Sequence, residues 1–179
     1  MSLGDKQPVS TTEQSLVAQG EAFLNHQDSA KVVALCISSG GIPKHPLSEA
    51  QIATPGIVGD GHNHEKHNRP DRALSLIDLE ILAQLREEGF DLQPGMLGEN
   101  LTAVGLSVQK MSPGTLLAVG DVVLRLEQPR KPCYVLDAID PRLKDVLVGR
   151  CGFMASVVHC GTIRPDMKIT VLSEGPAGS

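Results

Sequence analysis

Pro129 and Pro132 bracket Arg130 and Lys131, and Cys133 follows at once. Each proline fixes φ and removes a backbone donor, so the peptide is stiff and can hold a thiol in one place. Cations close to a thiol favour the thiolate, the form that acts as nucleophile and as soft metal ligand. Pro132 also stands where a short helix over the apolar run 134–139 would begin, and a helix N-terminus adds to that character. The chemistry this stretch supports is therefore nucleophilic or metal-binding sulfur chemistry on Cys133. The same residues also suit a buried structural cysteine in a turn.

Other polar side chains stand beside glycine turns in an otherwise aliphatic chain. Asp60 follows Gly59, Arg72 precedes an apolar run, and Asn100 follows Gly98 by two positions. Convergent polar groups of this kind mark ligand sites, so Asp60, Arg72, Asn100 and Arg130 are expected to share one pocket. With Lys131 they would also suit a binding module that holds an anion without catalysis. His62, His64 and His67 form a second cluster. Imidazoles with a nearby carboxylate suit zinc and a metal-dependent hydrolase. Their spacing matches no standard zinc motif, however, and a polar glycine-rich loop has the same composition. That loop carries no aliphatic side chain between Gly61 and Ala73, so it is expected to be mobile.

The remaining cysteines are at 36, 151 and 160. Cys36 and Cys160 lie in apolar strand patterns, where burial is expected. Cys151, between Arg150 and Gly152 in a turn, is the expected competitor of Cys133 for reactivity. No CxxC pair and no disulfide framework of a small secreted domain appears. A reduced, cytoplasmic protein is expected.

The elements that must position these residues are mostly strands. Residues 31–38 read as a strand, whose continuous apolar run over 32–37 is what burial on both faces would give. Residues 50–53 make a short strand, and 116–119 and 122–127 make a hairpin around Gly120 and Asp121. The second hairpin strand delivers the chain to the Cys133 loop. Strands are also expected at 153–160 and 168–172. One clear helix is expected over 72–89. Ser75 and Asp78 resemble a capping pair there, with Ile77, Ile81, Leu82 and Leu85 on one face and Gly89 as the stop. Shorter helical stretches are expected over 12–25 and 139–148. About seven strands and one main helix predict a mainly β, barrel-like fold with a few peripheral helices. The domain is expected over 31–173, after an N-terminal extension of 1–30 and before a tail of 174–179.

With 179 residues the chain can bury a proper core, and aromatics at 2% leave Val, Leu, Ile and Ala to build it. A net charge of -5 argues against a nucleic-acid partner, which leaves a basic footprint. No apolar run approaches the length of a membrane span, so no membrane association is expected.

The order of motifs resembles the MOSC domain, named after the C-terminal part of molybdenum-cofactor sulfurases. The matching pieces are Gly56–Asp60, Arg72–Leu76, Pro94–Gly95 with Gly98–Leu101, Pro129–Cys133, Gly149–Phe153 and Gly161–Pro165. The resemblance covers roughly residues 31–173 and is to a stand-alone member, without the pyridoxal-phosphate sulfurase domain. It implies a barrel-type fold in which Cys133 matches the family's key cysteine. That cysteine is proposed to carry sulfur as a persulfide, and in related amidoxime-reducing components it ligates molybdenum during reduction of N-hydroxylated compounds. Arg130 and Asn100 match positions near the pterin of the molybdenum cofactor, molybdopterin, and Asp60 matches the Gly-Asp motif. The implied partners are a sulfur donor of the cysteine desulfurase type or a separate electron-transfer protein. The sequence departs from the pattern at His67-Asn68, where some members have His-Gly, and at Asp166-Met167, where Gly-Asp is usual.

Overall fold

The structure, a computed structural model, describes residues 30–61 and 69–176. Strands β1 (Lys31–Ile37), β2 (His45–Leu47), β3 (Ala50–Ala53) and β4 (Gly56–Ile57) come first, and a 3-10 turn follows at Pro70–Arg72. Strand β5 (Leu74–Asp78) then runs straight into helix α1 (Leu79–Glu87). After β6 (Leu101–Val104) and a 3-10 turn at Val108–Lys110 come the hairpin strands β7 (Leu116–Val119) and β8 (Val122–Pro129). A 3-10 helix at Tyr134–Ala138 and helix α2 (Leu143–Val146) lead to β9 (Phe153–His159), β10 (Gly161–Ile163) and β11 (Ile169–Ser173).

The main sheet has the order β11-β7-β8-β9-β5-β6-β1-β2, and β10-β3-β4 form a small second sheet. The main sheet curls until its ends meet. Backbone bonds Val32 N–H to Met167 C=O (2.9 Å), Asp166 N–H to Val32 C=O (2.8 Å) and Ile169 N–H to Ala30 C=O (2.8 Å) join the start of β1 to the approach to β11. Closure leaves few unpaired edges and makes the barrel. Inward side chains such as Leu35, Leu76, Leu101, Leu117, Leu124 and Phe153 fill it, all essentially buried. A second cluster lies outside the wall, where α1, α2 and the 134–138 turn pack Leu82, Leu85, Leu136 and Leu143 against Ile77.

The mainly β, barrel-like expectation holds, but the helix expected over 72–89 does not. Only Leu79–Glu87 is α-helical, and 74–78 is a central strand paired parallel to β6 and antiparallel to β9. All five of its residues are buried because side chains cover both faces. Ser75 therefore sits in a strand, and Asp78, at the N-cap of α1, makes no side-chain capping bond. Leu82 and Leu85 do face inward, and Gly89, at φ 94°, ends the segment as expected. Among the described residues there are eleven strands rather than seven, several of them very short. The helix expected over 12–25 lies outside the described residues.

Asp78 carries a measurable consequence. Burial pushes its carboxyl from 3.8 up to about 6, against backbone N–H groups around Val108 that favour the ionised form. Its Oδ1 has no hydrogen-bond partner among the described residues. For a carboxyl raised in the folded state, ionisation favours the unfolded chain. The penalty is absent below pH 3.8, grows as pH rises towards 6, and is constant above that. Asp78→Asn keeps an acceptor for the backbone donors and removes the charge. It is expected to stabilise the protein at pH 7 by up to about 3 kcal/mol. Denaturant titration should show that gain shrinking to nothing as pH falls to 4.

Candidate functional site

The Cys133 loop leaves the barrel at the end of β8. A register shift between Leu126 and Gln128 bulges β8 just before it leaves the sheet. Bulges re-aim a strand, and they recur beside binding sites. Pairing with β9 continues through Pro129 opposite Phe153, and Arg130 N–H donates to Gly152 C=O at 2.8 Å. Beyond that point residues 131–133 belong to no element, and Tyr134–Ala138 forms a single 3-10 turn. Cys133 is exposed, as are Lys131 and Tyr134, the latter at 68%.

Arg130 turns back to the other wall of the site. Its Nη2 donates to Leu97 C=O, in the turn before β6. Gly98, at φ 83°, makes room for this: a Cβ there would lie 2.8 Å from Ile42 Cγ2 and 3.2 Å from Arg130 Nη2. Glu99, wholly buried, braces the same turn by accepting from Gly95 N–H at 2.6 Å and from the Thr102 hydroxyl at 3.3 Å.

Asn100 is the next link. Its Nδ2 donates to Asp60 Oδ2 at 2.8 Å and to Cys36 C=O at 3.2 Å, and its Oδ1 accepts from Ser75 N–H at 3.1 Å. Asp60 is held from three sides. Besides Asn100, it accepts from Ser38 N–H at 3.0 Å and from Lys44 Nζ at 2.6 Å to each oxygen. Side-chain exposure of Lys44 and Asp60 is only 10% and 2%, so the ion pair is largely desolvated. With its oxygens so occupied, Asp60 shapes the wall rather than offering free lone pairs.

The structure thus joins Asp60 to Asn100 directly and brings Arg130 to Leu97, three residues ahead of Asn100. Arg72 is half-buried at the approach to β5, three residues before Ser75. Arg72 Nε and Arg130 Nη1 are buried N–H groups without a partner among the described residues. Such donors are costly unless a ligand or another group accepts from them. His62, His64 and His67 lie outside the described residues, as does the loop expected to be mobile. Among the described residues no three His, Cys, Asp or Glu side chains gather as around a metal ion.

Two expectations about the thiols are corrected. Cys151 is buried, at 1%, because Leu136 and Leu143 cover the turn that carries it. Burial pushes its thiol up, with Arg130 opposing. Cys160 is exposed, because the last three positions before β10 run out of the packed wall. Cys36 is buried as expected, and its thiol is pushed up to about 11, chiefly by burial, with Glu99 adding and Lys44 opposing. Cys133 and Cys160 are therefore the two exposed thiols.

Sequence reasoning gives Lys44 and Glu99 no role, and reads Ser75 as a helix cap rather than as a partner of Asn100. Lys44 stands near Pro43 and Pro46 in a polar stretch, and nothing local announces its partner at Asp60. Glu99 was visible only as part of a glycine turn.

The MOSC domain family model matches residues 63–170. The chain is 29% identical over 145 residues to the protein YflK of Bacillus subtilis (strain 168), covering 77% of this chain and 66% of that one. It is 28% identical over 128 residues to a protein named reductase from Gibberella moniliformis (strain M3125 / FGSC 7600), covering 65% of this chain and 22% of the relative. The chain thus spans less than two thirds of either curated relative. The crystal structure of YiiM from Geobacillus stearothermophilus superposes with a TM-score of 0.66 at 22% identity, over 84% of this chain and 77% of that one. The fold is therefore shared with YiiM. With the family model matching more than half its length, the chain belongs to the MOSC domain family.

Proposed function

We propose that Cys133 is the working thiol of a site that handles molybdenum cofactor or sulfur. The observation that carries this reading is an exposed cysteine just after a proline-bracketed pair of cations, three residues beyond Arg130, whose guanidinium keeps a buried N–H without a partner among the described residues. The residues fit an anionic pterin cofactor. Arg72 Nε and Arg130 Nη1 would donate to its phosphate oxygens, Lys131 at the surface would draw the anion in, and Asn100 with Asp60 would keep the wall in shape. Cys133 would be the protein's soft ligand to molybdenum. The bound metal would supply two-electron chemistry such as reduction of N-hydroxylated compounds, with electrons from a separate transfer protein.

The same thiol suits sulfane sulfur, accepted as a persulfide from a cysteine desulfurase-type donor. The kinship to a protein named reductase supports the first form. The exposure of Cys133, which leaves its thiol open to a donor protein, favours the second. Protein purified without a histidine tag should be analysed for molybdenum and pterin, and its intact mass for added sulfur before and after thiol reduction. Stoichiometric molybdenum with pterin, or a reducible +32 Da adduct on the peptide of Cys133, is expected from the mass of one sulfur atom. Neither, after incubation with cofactor and sulfur donor, overturns the proposal.

A further inference from the structure

The exposed Cys133 has a buried neighbour that the site has not yet used. Cys151 is placed beside the loop by three observations. The β8–β9 ladder ends with Pro129 opposite Phe153 and Arg130 N–H on Gly152 C=O, so the next residues are Lys131 on one chain and Cys151 on the other. Leu136, whose N–H returns to Cys133 C=O at 3.1 Å, packs in the same buried cluster as Cys151. Burial chiefly pushes the Cys151 thiol up, Arg130 opposes, and Glu99 and Cys133 add to it, as they would from nearby. The other thiols do not share this place. Cys36 packs against Gly95, and Cys160 lies beyond the far end of β9, 4.0 Å from the Thr54 hydroxyl.

We propose that Cys151 is the resolving thiol for sulfur carried on Cys133. The inference rests on the persulfide form of the function proposed above. In the step, Cys151 Sγ attacks Cys133 Sγ, and a Cys133–Cys151 disulfide bond forms. The bond between Cys133 Sγ and the outer sulfur breaks, and that sulfur leaves as hydrosulfide, with the Cys151 proton released alongside it. The sulfane sulfur is reduced by two electrons and the cysteine pair is oxidised by two. An external dithiol then reduces the disulfide and resets the pair.

The last facing pair on the ladder, Pro129 and Phe153, lies about 5 Å apart, and Cys133 must fold back from beyond it to bring its Cα within the about 4.4–6.8 Å of Cys151 that a disulfide spans. Cys133 stands two residues beyond Lys131, and residues 131–133 belong to no strand, so no ladder bonds hold that gap open. Burial gives the pair its order of events. Sulfur can load only on the exposed member, and the buried member can then reach only its neighbour. A carrier built in this way releases its sulfur as hydrosulfide and masks Cys133 until it is reduced.

The test uses the full chain and inorganic polysulfide as the sulfur source, with alkylation at timed intervals and mass-spectrometric peptide mapping. Wild type is expected to load sulfur on Cys133, then lose it with release of hydrosulfide as a Cys133–Cys151 disulfide appears. Cys151→Ala should load equally and keep the persulfide at least five-fold longer. Equal lifetimes in the two proteins, with no disulfide mapped, overturn the release step and leave the persulfide reading standing. A wild type that takes no sulfur overturns both. Diamide oxidation of wild type checks the pairing without any variant. A mapped Cys133–Cys151 bond is expected, and an intermolecular Cys133 bond or one to Cys160 overturns it.

Discussion

Gly152→Ala is expected to be among the most damaging single substitutions at this site, costing about 4 kcal/mol, from backbone strain and overpacking of a few kcal/mol each. The residue adopts φ 85°, a conformation that side chains rarely take, and a Cβ there would lie 1.9 Å from Leu76 O and 3.2 Å from Ile77 Cα. Those atoms are the backbone of β5, the strand between β6 and β9, so they cannot swing aside. Gly152 also ties the site to the barrel. Its carbonyl accepts Arg130 N–H and its N–H donates to Gln109 Oε1, each at 2.8 Å. The melting temperature should fall by roughly 10 °C. Gly149→Ala is the control. It has φ 77° with nothing within 4 Å of a new Cβ, so only backbone strain of about 1 kcal/mol is expected. Similar melting temperatures for the two variants would contradict the close approach of the 149–152 turn to β5.

Cys133→Ser is expected to do the opposite, abolishing function and sparing the fold. Cys133 is exposed and its side chain caps no helix, so the change should stay within about 0.5 kcal/mol of wild type. A hydroxyl is neither a soft metal ligand nor an acceptor of sulfane sulfur. Molybdenum ligation through this residue and persulfide loading should both fall to background. Cys160→Ser changes the other exposed thiol and should leave loading intact. Loading that survives in Cys133→Ser and is lost in Cys160→Ser would move the site to the far end of β9.

What could be seen in the sequence was what lies close together along it. The Cys133 loop was legible because its prolines, cations and thiol are consecutive, and the hairpin was legible from alternating Val and Leu around Gly120. Strand β5 was misread because it is covered on both faces, so its residues Leu-Ser-Leu-Ile-Asp do not alternate cleanly between apolar and polar. Leu74, Leu76 and Ile77 fit a helical face as easily when a true helix follows without a break. The Lys44–Asp60 pair, the brace at Glu99 and the contrast between buried Cys151 and exposed Cys160 depend on chain segments that only the closed barrel brings together. Local residue types carry no signal for them.

In the function proposed above, Cys133, rather than any other thiol, sits in an electropositive site that takes anions. Charge-selective alkylation of the native protein tests it most directly. Cys133 and Cys160 are both exposed, but only Cys133 has Arg130 and Lys131 close by in its loop. Rates with anionic iodoacetate and neutral iodoacetamide, mapped to each cysteine by mass spectrometry at low ionic strength, should differ between the two thiols. The iodoacetate-to-iodoacetamide rate ratio should be several-fold higher at Cys133 than at Cys160 and should fall with added salt. Cys36 and Cys151 should label only on unfolding. Equal ratios at the two exposed thiols, or labelling of Cys133 only after unfolding, would contradict the account.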